Sequence, residues 1–219
     1  MTASPVPVST TGSAAPIHTT TLDLDRAPTG LESLDVRKLG MWAFLGSECV
    51  FFGSLIAMFF VFRPQMYTED LAAAHLTPPD ILNIPFTGIL AFILLVSSLT
   101  MVLALNALQE SRRRTAAFWL LATAFLGTCF LGGQAYEFVE IAHHGITLKN
   151  SVFGQSFLLL TGFHGTHVFV GVLWLLSCLP KALNGRFHSG NFIGVEICGL
   201  YWHFVDIVWV VIFTLIYLI

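Results

Sequence analysis

Chemistry in this chain has to come from ionisable side chains set inside apolar sequence. Glu48 lies in GSECVFFGS, Glu137 and Glu140 in GGQAYEFVEIAHHG, His164 and His167 in TGFHGTHVFVG, and His203 and Asp206 in YWHFVDIVW. Carboxylates and imidazoles are the groups that ligate first-row metals or exchange protons. Residues three apart share a helical face, so His164 with His167, Glu137 with Glu140, and His203 with Asp206 each form a short polar stripe. Trp202, Val205 and Trp209 form a neighbouring stripe.

A di-iron site is the sharpest chemistry such a set offers, but the pattern fits it poorly. Di-iron bundles place Glu-x-x-His on two helices. Here Glu137 meets Glu140 at that spacing, and His164 meets His167. The pattern favours a structural polar network, with interhelical hydrogen bonds of about 1 kcal/mol each and the stripes turned away from lipid, over proton or lipid-headgroup handling. Glu48 stands apart, since no cation is near it in sequence and its neighbours Cys49, Val50, Phe51 and Phe52 are apolar. A carboxyl there either binds and relays a proton or hydrogen-bonds a neighbouring helix; the residues leave both open.

The elements that position these groups follow from composition. Of 219 residues, 55% are hydrophobic and only 11% charged. The apolar residues fall in five blocks, about 39–62, 84–108, 116–141, 152–180 and 192–219. Each is long enough to cross roughly 30 Å of hydrocarbon as a helix. The expected fold is all-α, a polytopic bundle of five transmembrane helices over residues 36–219, preceded by a disordered or interfacial tail over 1–35. LESLDVRK, residues 31–38, is expected to form a short interfacial helix. Gly162, Gly165 and Gly171 thin the fourth block and should admit a second helix closely. Cys49, Cys129, Cys178 and Cys198 lack CxxC spacing and read as packing residues.

Basic residues set the orientation. Arg37 and Lys38 precede the first block, Arg112, Arg113 and Arg114 follow the second, and Lys181 and Arg186 follow the fourth. The opposite side carries Arg63 and Lys149 beside Glu69, Asp70 and Asp80. The positive-inside rule then places the N-terminus in the cytoplasm. No fixed-period repeat or inverted pair of broken hydrophobic segments marks a transporter, and no nucleic-acid partner is expected.

The motifs themselves resemble a known family. TGFHGTHVFVG and YWHFVDIVW are similar to two signatures of subunit III of heme-copper terminal oxidases. GSECVFFGSLIAMFF resembles that family's segment around its carbodiimide-reactive glutamate, and GQAYEFVE its paired-glutamate stretch. The four stand in family order across about 39–219. The resemblance implies a subunit of an aerobic respiratory oxidase of the bacterial inner membrane that is not itself catalytic and holds no heme, copper or other metal. Heme and copper would lie in partner subunits I and II, and the complex would reduce oxygen to water while pumping protons. Subunit III would stabilise the catalytic subunit, bind phospholipid and support proton uptake.

By motif, Glu48 is the counterpart of the reactive glutamate. Glu137, Glu140, His164, His167, Trp202, His203 and Asp206 are implied to hold helices together or border lipid. No hydrophobic block precedes the one carrying Glu48, so the chain is similar to the five-helix bacterial form, and a lipid cleft would need a wall from a neighbouring subunit. Cytochrome c is the expected donor, because YWHFVDIVW and GQAYEFVE look closer to the cytochrome c oxidase versions. A quinol oxidase is the alternative; a membrane di-iron enzyme and a proton-coupled transporter are the readings from other classes.

Overall fold

The computed structural model describes residues 35–65, 83–143, 146, 151–184 and 192–218. The expected N-terminal tail, most of the expected interfacial helix, and Glu69, Asp70, Asp80, Lys149 and Arg186 lie outside the described residues. Among those described there is no strand. Five helices follow in order: α1, Val36–Gln65; α2, Ile84–Gln109; α3, Arg113–His143; α4, Val152–Leu183; and α5, Ile193–Phe213. All five are long and apolar enough to cross a membrane. Val36 to Lys38, from the expected interfacial helix, are the first turn of α1.

Local sequence explains several ends. Asn83 caps α2 by accepting from the Phe86 amide at 3.2 Å, and Pro85 occupies the first turn, where a missing N–H costs nothing. Ser151, in an extended conformation, caps α4 by accepting from the Gly154 amide at 3.1 Å. At the end of α2 the chain turns through Ser111 at φ 59°, and the Arg112 amide donates back to the Ala107 carbonyl at 2.8 Å. That left-handed position usually calls for glycine. Here it makes the tight connection that lays α3 antiparallel on α2. After Phe213 the last helix widens into a π turn, Thr214–Leu218, which carries Tyr217 into the core.

Helices α2, α3, α4 and α5 form a closed ring of packed neighbours, and α1 lies outside it against α4 and α5. Helix α5 is the most enclosed and α1 the least. Lipid supplies no hydrophobic drive between helices, so close packing of small residues has to substitute for it. Trp202 shows how. Its ring is fully buried between Gly127 of α3 and Gly171 of α4, where a Cβ would come within 2.5 Å and 2.8 Å of it respectively. Gly133 lies under Leu90, and Gly199 against Met101 and Leu105.

The glycine expectation needs correction. Only Gly171 of the three in α4 meets another helix closely: Gly162 has open space where a side chain would be, and Gly165 meets only a Leu131 methyl at 4.0 Å. Those two face a groove because α4 turns that side outward. Of the cysteines, Cys178 and Cys198 are buried packing residues, whereas Cys49 and Cys129 are exposed on the bundle's outer surface.

Candidate functional site

The polar residues form separate stations along the bundle. At the N-terminal end of α1, the Lys38 ammonium meets the Glu196 carboxylate of α5 at 2.7 Å. This places the starts of α1 and α5 at the same end, as an odd number of alternating crossings demands.

Further along α1, Glu48 faces α4. Its Oε2 lies 3.3 Å from His167 Nε2, and both side chains are largely buried. The approach lacks the angles of a hydrogen bond, since Glu48 Oε2 has no partner by that criterion. It is a close polar contact across the α1–α4 interface. His167 Nδ1 lies 2.8 Å from the Phe163 carbonyl. A carbonyl only accepts, so Nδ1 carries its hydrogen and Nε2 is the nitrogen turned toward the carboxyl. Phe52 and Tyr201 wall the imidazole, with Tyr201 donating to the His167 carbonyl at 3.0 Å.

The centre of the bundle is knitted by hydroxyls of α2. Trp202 Nε1 donates to Ser97 Oγ at 3.0 Å, and Ser98 Oγ lies 2.6 Å from His203 Nδ1. Thr100 and Thr123 join α2 to α3 at 2.8 Å. His164 Nε2 donates to the Val205 carbonyl at 3.2 Å, its ring stacked on Trp209 and edge-on to Phe130. Asp206 is buried with neither carboxyl oxygen hydrogen-bonded to protein.

At the opposite end, Glu137 Oε1 accepts from Thr87 Oγ1 and from the Tyr217 hydroxyl, each at 2.9 Å. One carboxyl thus ties α3 to the start of α2 and to the π turn after α5. Glu140 is half-buried one turn on.

The stripes read from spacing separate in the structure. His164 turns toward α5 and His167 toward α1, since three residues on a helix leave them about 60° apart. Among the described residues no three His, Cys, Asp or Glu side chains converge as a metal site. Sequence reasoning missed the partners Thr87, Ser97, Ser98 and Tyr217. The run SSLT in α2, hydroxyls inside an otherwise apolar helix, was the available signal for Ser97 and Ser98. It also missed the fit of Glu48 to His167, which joins residues more than a hundred positions apart.

The fold and these stations define a polytopic membrane bundle in which Glu48, Glu137, His164 and His203 each meet a group on another helix. A family model for cytochrome c oxidase subunit III matches residues 28–219. Quinol oxidase subunit 3 of Bacillus spizizenii is 35% identical over 82% of this chain and 85% of its own length. Cytochrome c oxidase subunit 3 of Bacillus sp. PS3 is 36% identical over 82% of this chain and 84% of its own. Probable quinol oxidase subunit 3 of Staphylococcus saprophyticus is 33% identical over 84% and 90%. The chain belongs to the cytochrome c oxidase subunit III family of heme-copper oxidases, and is a multi-pass bacterial membrane protein. Relatives with either donor in their names stand at near-equal identity, so the expectation of cytochrome c gains no support from them.

Proposed function

We propose that this chain is the non-catalytic third subunit of an aerobic respiratory oxidase, docked on the catalytic subunit, stabilising it and supporting proton uptake while the partners carry heme and copper. The observation that carries this reading is how the candidate ligands are used. His164 is committed to Val205, His167 to Phe163 and Glu48, His203 to Ser98, and Glu137 to Thr87 and Tyr217. Such groups hold helices together. The Glu48–His167 pair is the place where the chain would exchange a proton with its surroundings, with Glu48 as the acid that reacts with a hydrophobic carbodiimide. The N-terminus and the Lys38–Glu196 end face the cytoplasm, and phospholipid covers part of the outer surface.

Cytochrome c is the donor in the reading favoured by the motifs. A quinol donor is the second reading, favoured by the relatives named quinol oxidase subunit 3. The test is to tag the chain, extract it gently from its own membrane, and record a reduced-minus-oxidised spectrum with metal analysis and subunit identification. Heme, copper and two larger partners are expected. A dinuclear copper centre in one partner assigns cytochrome c, and heme and copper without that centre assign quinol. Recovery of the chain alone with non-heme iron would overturn the proposal.

A further inference from the structure

Several hydroxyls on the outer surface of the bundle satisfy themselves. Ser47, Ser54 and Thr166 each donate to a carbonyl of their own helix, three or four residues back, at 2.6, 2.7 and 2.9 Å, and ask nothing of their surroundings. His203 of α5 is not satisfied in this way. Its Nδ1 lies 2.6 Å from Ser98 Oγ of α2, which leaves Nε2 for a second partner. Among the described residues Nε2 has none, and it is not one of the enclosed atoms: the side chain is partly exposed, and Nε2 opens on the outer surface where α2 and α5 meet. Ser98 either gives a hydrogen to Nδ1, leaving Nε2 as a donor, or takes one, leaving Nε2 as an acceptor. In both cases a polar atom faces outward.

Depth decides what can meet it. His203 stands ten residues past Ile193, where α5 begins, hence about 15 Å along the helix. The hydrocarbon core is about 30 Å thick, so the imidazole is near its middle and lipid ester groups lie on the order of 10 Å away. An acyl chain offers it neither donor nor acceptor. Histidines at such depth face the bundle interior or water and pair with polar groups, so one that opens outward marks a surface that is covered. Helix α1 packs on α5 from the side of α4, away from this seam. Around His203 the seam is apolar, with Leu99 and Val102 of α2 and Ile207 of α5 exposed. An apolar strip with one polar nitrogen at mid-depth is complementary to an apolar helix carrying one polar side chain.

We infer that the α2–α5 seam seats a transmembrane helix of a neighbouring oxidase subunit, with a hydroxyl or carboxamide of that helix hydrogen-bonded to His203 Nε2. Either group can give or take a hydrogen, so it fits both tautomers. This rests on the reading of the chain as a docked oxidase subunit and names the surface and the partner's chemistry.

The test uses the assembled oxidase in its native membrane. Ile207, one turn past His203 and exposed, is replaced by photoreactive p-benzoylphenylalanine, with Phe125 on the outer face of α3 replaced likewise to establish photoreactivity. After irradiation and purification, a defined transmembrane peptide of one oxidase subunit attached at position 207 is expected. Adducts with lipid only, with a second copy of this chain, or none while position 125 reacts, each overturn the inference. Recovery of the unsubstituted chain without other oxidase subunits would strike the docked-subunit reading, and the inference with it. Two further variants isolate the nitrogen. His203→Asn keeps a polar group at the position of Nδ1 for Ser98 and removes the outer one, whereas His203→Gln reaches the position of Nε2. Read per copy of this chain in the membrane, His203→Asn should cut the adduct at position 207 at least fivefold, and His203→Gln should keep most of it. Equal adducts from the two variants overturn the bond assigned to Nε2.

Discussion

Replacing Gly171 by alanine probes the tightest joint in the bundle. The new Cβ would stand 2.8 Å from two carbons of the Trp202 ring and 3.3 Å from the Tyr201 ring. A carbon pair prefers 3.5–4.0 Å, so the indole or a helix has to move by most of an ångström. The indole has nowhere to go: Gly127 closes its other side, and its N–H is held by Ser97. Overpacking of this kind costs about 1–3 kcal/mol, and a value of ~2 corresponds to roughly a 30-fold loss in the folded-to-unfolded ratio. The assay is the thermal unfolding of the purified complex, followed by a thiol-reactive dye at the buried Cys178 and Cys198. Gly132→Ala is the control, because a Cβ there meets nothing within 4 Å. Gly133→Ala should fall between, since the obstacle is the flexible end of Leu90. Combining Gly171→Ala with Trp202→Leu should recover part of the loss, as neighbours that share one space are not additive. Equal melting of Gly171→Ala and Gly132→Ala, or strict additivity in the double variant, would refute the packing argument.

Glu48→Gln should leave assembly intact and lower labelling by a hydrophobic carbodiimide several-fold; unchanged labelling of the chain removes Glu48 as the reactive acid. Glu137→Leu strands the hydroxyls of Thr87 and Tyr217 and should cost about 1–3 kcal/mol in the same melt, whereas Glu137→Gln keeps an acceptor oxygen and should cost less. If both variants melt alike, the carboxyl is not the tie described. Lys38→Ala should change stability by less than about 1 kcal/mol, because both members of its pair with Glu196 are about a third exposed and screened by water. A larger loss would mean that the pair is enclosed by a partner subunit.

The family and the number of crossings were legible before any coordinates. Five apolar blocks separated by short polar loops admit only five helices in lipid, since a backbone in hydrocarbon must satisfy itself. Four motifs in family order carried the subunit III resemblance. The spacing argument was weaker. It grouped His164 with His167 because they share a face, yet a 60° offset at the junction of three helices was enough to send them to different neighbours. It also placed close approach at Gly162, Gly165 and Gly171 alike, when of these three only Gly171 meets another helix closely. Nothing local distinguishes these glycines; which one faces Trp202 depends on the rotation of α4 in the bundle.

What the sequence by itself determined is therefore the set of helices, their order, and the stock of polar groups placed among apolar ones, because hydropathy and length are properties of consecutive residues. Which polar group meets which was decided only by tertiary packing. Glu48 and His167, Trp202 and Ser97, and Glu137 and Tyr217 are pairs between helices remote in sequence. Their distances depend on crossing angle, helix rotation and depth, which no periodicity encodes.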